Sequence, residues 1–238
     1  VIICLALMII AAAAYAEAEA AAGAFSTNLD VAYVSKYVWR GTIPNPDPCL
    51  QPSLTFAHKS GASLNVWGSA DLTDVYDQRD HLSEIDYTLD YATQIGGRSV
   101  NGGLIHYTFP HTDFSSTSEV YAALCFDGKI TTSLAANYDF DEADGLYTSV
   151  TAGYACTAPW QKETAPELNI SAKVGYATGK YNAFYFGTDK AAFTDLLLSA
   201  SVPVQVGGKL SLTPSISYSR VLDSELRDAV ADPDCFYV

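Results

Sequence analysis

Basic residues are scarce in this chain. Its 238 residues hold 13 Lys and Arg against 27 Asp and Glu, a net charge of −14. A nucleic-acid partner is therefore not expected, because phosphate contacts need basic patches. Long apolar runs are lacking too: after residue 22 none reaches the roughly 18 residues that a membrane helix needs. Methionine occurs once, while there are 16 Tyr. Tyr-rich composition suits surfaces where one end of a ring is wet and the other is not. Closely spaced cysteine pairs are absent. Cys49, Cys125, Cys156 and Cys235 stand far apart, so neither a zinc site nor a redox pair, and no cofactor or metal, is expected. Export would permit disulfides among them, without fixing whether any form. No linker or shift of composition divides the chain.

The N-terminus is a different material. Residues 1–16 are continuously apolar, and small-x-small sites follow at 14–16 and 18–20. This reads as the hydrophobic core and cleavage end of a secretory signal peptide over residues 1–22. Its positive n-region is missing, so the sequence is expected to begin mid-gene. Residues 23–238 are then one domain.

The organising stretch of that domain is 28–41. Its odd positions, Leu29, Val31, Tyr33, Ser35, Tyr37 and Trp39, are almost all apolar. Its even positions, Asp30, Ala32, Val34, Lys36, Val38 and Arg40, carry every charge. Side chains of a strand alternate faces, so this predicts one long strand with an apolar and a charged side. About 9–11 residues of tilted strand cross a bilayer.

The pattern repeats. Strands are expected at 50–59, 62–71, 83–93, about 100–109, 119–126, 130–140, 146–155, 168–176, about 193–204 and 210–218. Ile85, Tyr87, Leu89 and Tyr91 oppose Glu84, Asp86, Thr88 and Asp90. In the fifth segment Ile105, Tyr107 and Phe109 are assigned outward, His106 and Thr108 inward. Residues 235–238 begin a twelfth strand, read as truncated, since single-chain bacterial barrels use even numbers and an open edge cannot face lipid. The fold class is all-β: a transmembrane antiparallel up-and-down barrel of about twelve strands. Odd-to-even links are long and even-to-odd links mostly short, 156–167 excepted, as in outer-membrane barrels. Aromatics gather at strand ends. Trp39, Phe109, Phe140, Tyr176 and Tyr218 lie at the loop end, and Phe56, Tyr91, Phe126 and Tyr154 at the turn end, as two interfacial girdles would require.

The run Val34-Ser-Lys-Tyr-Val-Trp-Arg-Gly41, then Leu50-Gln-Pro-Ser-Leu54 and Val66-Trp-Gly-Ser69, resembles the TorF porin family. Glu84-Ile-Asp86 and Glu119-Val-Tyr-Ala122 are similar to its later landmarks. The resemblance covers residues 27–238. It implies a Gram-negative outer-membrane barrel with a pore function, and it brings no catalytic residues. The four mature cysteines and the short final strand depart from its pattern.

The polar parity faces the lumen. Candidate pore-lining residues are Asp30, Lys36, Arg40, Trp67, Asp71, Glu84, Asp86, Asp90, His106, Glu119, Tyr121, Asp139, Lys173 and Asp195, with Trp67 and Tyr121 as constriction candidates. A narrow water-filled pore for ions or small hydrophilic solutes follows, with mild cation preference from the acidic excess. The alternative is a plugged barrel whose charges pair across the lumen, with a structural, adhesive or lipid-modifying role. Partners expected are outer-membrane lipid and lipopolysaccharide, the solutes themselves and a homo-oligomer. The acidic loops, with Asp74, Asp77 and Asp80, Asp141, Glu142 and Asp144, then Asp223, Glu225, Asp228, Asp232 and Asp234, read as a solvated surface ahead of divalent-cation bridging. The run at 139–145 lacks the length and final Glu of an EF-hand loop. An enzyme is not expected: His58, His81, His106 and His111 form no recognisable set with Ser83 or Ser115.

Overall fold

The computed structural model describes residues 23–76, 79–156 and 166–238. The segment expected to be a signal peptide, Asp77 and most of the 156–167 link lie outside the described residues.

The chain runs through β1 (Phe25–Val34), β2 (Tyr37–Trp39), β3 (Thr42–Asn45), β4 (Cys49–His58), β5 (Ala62–Asp71), β6 (Leu82–Ile95), β7 (Arg98–Thr108) and β8 (Thr117–Phe126). It continues through β9 (Thr131–Asp139), β10 (Gly145–Cys156), β11 (Leu168–Ala177), helix α1 (Gly179–Phe186), β12 (Ala192–Ser201), β13 (Val204–Gly207) and β14 (Leu210–Leu212). β15 (Ser215–Val221), helix α2 (Ser224–Asp228) and β16 (Asp234–Tyr237) complete it. Twelve strands form one antiparallel sheet in the order β1-β4-β5-β6-β7-β8-β9-β10-β11-β12-β15-β16. The sheet curls into a nearly closed barrel. Beyond the end of β1, the Ser35 amide donates to the Val238 carbonyl at 2.8 Å.

The register explains how alternation becomes two faces. One row reads Asp30, Ser53, Trp67, Asp86, Tyr107, Thr117, and the row beside it reads Leu29, Leu54, Val66, Tyr87, His106, Ser118. The first row faces the lumen and the second faces out. Outward side chains such as Leu89, Val120, Val150 and Ile216 are exposed. Buried apolar residues gather instead under the loops. Phe186, Ala192, Val221 and Leu226 form one cluster, and Tyr147, Ala177 and Tyr181 another.

Three expectations are corrected. The first strand does not run to Gly41. It ends at Val34, the chain bends at Ser35–Lys36, and β2 and β3 form a separate hairpin. Trp39 accordingly points into the barrel and is no part of a girdle. In β7 the faces are inverted: His106 pairs with outward Tyr87, while Tyr107 is buried inside. The stretch Ser99–Thr108 carries no Asp, Glu, Lys or Arg, so nothing in it marks the lumen side. The eleventh strand begins at Ser215, because Pro203 and Pro214 interrupt the ladder and set β13–β14 off as its own hairpin.

Candidate functional site

The loop end of the lumen is filled from inside. The β2–β3 hairpin folds over the barrel mouth, and its two-residue turn is Arg40-Gly41, with φ of 47° and 87°. Such a turn needs positive φ at both positions, a conformation costing a non-glycine residue about 1 kcal/mol. Arg40 accepts that conformation and projects into the lumen. Gly41 suits the turn through its φ, which would strain any side chain, and a Cβ there would also crowd the Cβ of Asp195 at 3.1 Å.

The Arg40 guanidinium donates to both carboxylate oxygens of Glu119, at 2.7 and 2.8 Å, and to the Tyr181 hydroxyl at 3.1 Å. Its side chain is 10% exposed and that of Glu119 0%. The Trp39 and Tyr147 rings lie 4.4 and 4.5 Å from the guanidinium carbon, within cation–π range. Tyr181 is delivered by α1, which ends at Gly187 in a left-handed cap. That helix docks because Gly145 has no side chain; a Cβ there would stand 2.5 Å from the Tyr181 amide nitrogen.

The remaining charges are arranged around this centre. Glu119 also accepts from Tyr107 at 3.0 Å and Asn137 at 3.3 Å. Asp195 accepts from the Tyr147 hydroxyl at 3.0 Å and Thr194 at 2.9 Å, with Lys173 at 3.6 Å. Gly175 leaves the room for the Tyr147–Asp195 contact. Asp71 accepts from Ser83 at 2.8 Å, and its second oxygen is buried with no partner among the described residues. Glu84 and Asp86 follow one another on the same face of β6, beside Trp67, which packs on Tyr37.

Towards the turn end the lumen opens. A cavity of about 490 Å³ is lined by Thr131, Asn169, Ser171, Ser199 and Ser201 among others. Tyr121 donates to Asp90 partway up, with Asn101 at 3.3 Å. Asp30 lies on the lumen face but exposed, bonded to Asn28.

The predicted lumen residues thus divide. Arg40, Glu119, Lys173 and Asp195 meet at the loop end. Trp67, Asp71, Glu84 and Asp86 form the neighbouring wall, and Asp90 and Tyr121 lie below. Asp139 faces in but serves the adjoining loop, accepting from Thr117 at 2.8 Å and the Asp141 amide at 2.9 Å. Lys36 leaves the lumen to pair with Asp232 of the last loop at 2.6 Å. His106 sits outside, 3.0 Å from Ser118. Sequence reasoning missed Tyr107, Tyr181 and the docked helix, and it did not number Tyr147 among the site residues although its parity puts it on the polar side of its strand. The available signal was the Tyr-Asn-Ala-Phe-Tyr-Phe run at 181–186, too aromatic for a solvated loop. Among the described residues no group of three or more His, Cys, Asp or Glu is placed to hold a metal.

A twelve-stranded antiparallel barrel, apolar outside and polar within, has the architecture of an outer-membrane barrel. The chain belongs to a family described as bacterial protein of unknown function (Gcw_chp), whose profile matches residues 17–216. No curated protein matches it.

Proposed function

We propose that the protein is an outer-membrane, porin-like barrel with a gated rather than permanently open lumen. Ions or small hydrophilic solutes pass when the β2–β3 tip withdraws, and the acidic wall favours cations. The observation that carries this reading is the contrast along the lumen: a cavity of about 490 Å³ at the turn end, against a loop end packed around Arg40, which arrives on a separate hairpin. The outward apolar band supports lipid as its surroundings. The resemblance to the TorF porin family points the same way, while the matched family's description names no porin role. Lipopolysaccharide beside the acidic loops, and further copies of the chain, are the partners this reading provides for.

The test is single-channel recording in planar bilayers. Wild type should give small, infrequent steps, and Arg40→Ala larger ones with a cation-favouring reversal potential. Silence from both proteins, once heat-modifiable migration has established folding, would sink the channel. A lipid-modifying enzyme has one observation on its side, the His106–Ser118 contact on the outward face. No carboxylate among the described contacts orients that ring, so the third member of a hydrolytic set is missing. Ester hydrolysis lost in Ser118→Ala would favour that reading.

A further inference from the structure

The wall and the occupant of the loop-end cage belong to different sheets. Tyr107, Glu119, Asn137 and Tyr147 stand on β7 to β10 of the barrel, whereas Arg40 arrives on a hairpin that pairs only with itself. The wall is also positioned without Arg40. Glu119 keeps its two donors, Tyr107 and Asn137, and the Tyr147 ring is anchored through its hydroxyl to Asp195. A carboxylate held by its own donors and flanked by aromatic faces is a preformed receptor for a planar cation.

We infer that this cage is a guanidinium-binding site, filled at rest by the chain's own Arg40, and that a solute or peptide bearing a guanidinium group displaces the hairpin tip. The chemistry selects that class. Glu119 is engaged through both oxygens, a fork that an ammonium ion cannot match. Urea has the plane but lacks the charge that the ring faces and carboxylate reward. The tethered Arg40 competes at an effective concentration of the order of millimolar. The inference deepens the gated-lumen reading by naming what opens the gate.

The test uses the full chain folded in detergent, with methylguanidinium as probe and methylammonium and urea as comparisons. In Arg40→Ala, tryptophan fluorescence, to which Trp39 of the hairpin contributes where it packs on Tyr107 of the wall, should titrate saturably with methylguanidinium. Binding should be at least about tenfold tighter than in wild type, where the tether competes. It should vanish in the double variant with Glu119→Gln. In wild type, amide exchange of residues 37–45 should accelerate several-fold with methylguanidinium and not with methylammonium. No saturable response in folded Arg40→Ala, or one that urea and methylammonium share, overturns the inference. If Arg40→Ala does not fold, the wild-type exchange experiment decides alone. Neither readout needs conductance, so a silent barrel that binds would end the channel reading and leave the site, and a conducting barrel that does not bind would do the reverse.

Discussion

Arg40 and Glu119 lie 79 positions apart in sequence and share two hydrogen bonds across the lumen, of 2.7 and 2.8 Å. Stranding one partner of a buried pair ordinarily costs about 3–5 kcal/mol. Here one partner can leave, because β2–β3 is not part of the barrel sheet. Glu119→Ala should therefore loosen the hairpin rather than unfold the barrel. Amide exchange over 37–45 should rise about tenfold or more, equivalent to about 1.4 kcal/mol, while the denaturation midpoint moves little. A midpoint carrying the full penalty with the hairpin still protected would mean that the tip is fixed.

Gly175 holds space that the site needs. A Cβ on Gly175 would stand 2.2 Å from Asp195 Oδ1 and 2.4 Å from the Tyr147 hydroxyl. Gly175→Ala should break that hydrogen bond and cost about 1–3 kcal/mol by overpacking. Ser171→Ala, on the same face of β11 but beside the open cavity, should fall within about 0.5 kcal/mol of wild type. Urea midpoints for folding into vesicles would compare the two. Equal effects would show that the Tyr147–Asp195 contact is not tightly packed.

The barrel was legible because strand period and charge agree segment after segment: Glu84, Asp86 and Asp90 mark one face of β6 without ambiguity. Where charge is missing, the face is lost, and so His106 was placed inside and Tyr107 outside. Hydropathy parity is also blind to bends. Tyr37 and Trp39 continue the odd face of β1 in sequence although the chain has turned at Ser35, which made one strand of two elements. For the site, Glu119 and Asp195 were visible as lumen charges. Their focus on Arg40 was not, because it depends on a hairpin and a helix folding back into the lumen, and such long-range closure leaves no periodic trace. Lys36 shows the same limit, since its partner Asp232 comes from the far end of the chain.

The last loop offers a pH test outside the barrel wall. Asp223 caps α2 by accepting the Glu225 and Leu226 amides at 3.0 and 3.4 Å, and Lys190 lies 2.9 Å from it. The hydrogen-bonded Lys190 ammonium, aided by those amides, holds its carboxyl below the usual aspartate range. A depressed folded value means the contribution is complete above the unfolded value of about 3.9 and fades as pH falls through the lower folded one. Exchange protection in 223–230 should stay level down to about pH 5 and fall below about pH 4. Asp223→Asn should flatten that fall. A transition centred near neutrality would contradict the assignment.

The outward face of β12 and β15 ends where the β13–β14 hairpin begins, and this sets a depth ruler. Leu198 pairs with Tyr218 and Ala200 with Ile216 in the barrel sheet, and past the two prolines Val204 pairs with Leu212 in the separate hairpin. Leu198 lies within the twelve-stranded sheet, whereas Leu212 lies in the hairpin beyond it. A charge on a lipid-exposed face costs about 2–4 kcal/mol at the bilayer midplane and about 0–1 kcal/mol near the interface. Leu198→Arg should therefore be several-fold more damaging to folding into vesicles than Leu212→Arg. Equal large costs would extend the apolar band over the hairpin and move the interface below Gly207–Gly208. Two negligible costs would mean that this face meets water, and the outer-membrane reading would fall with it.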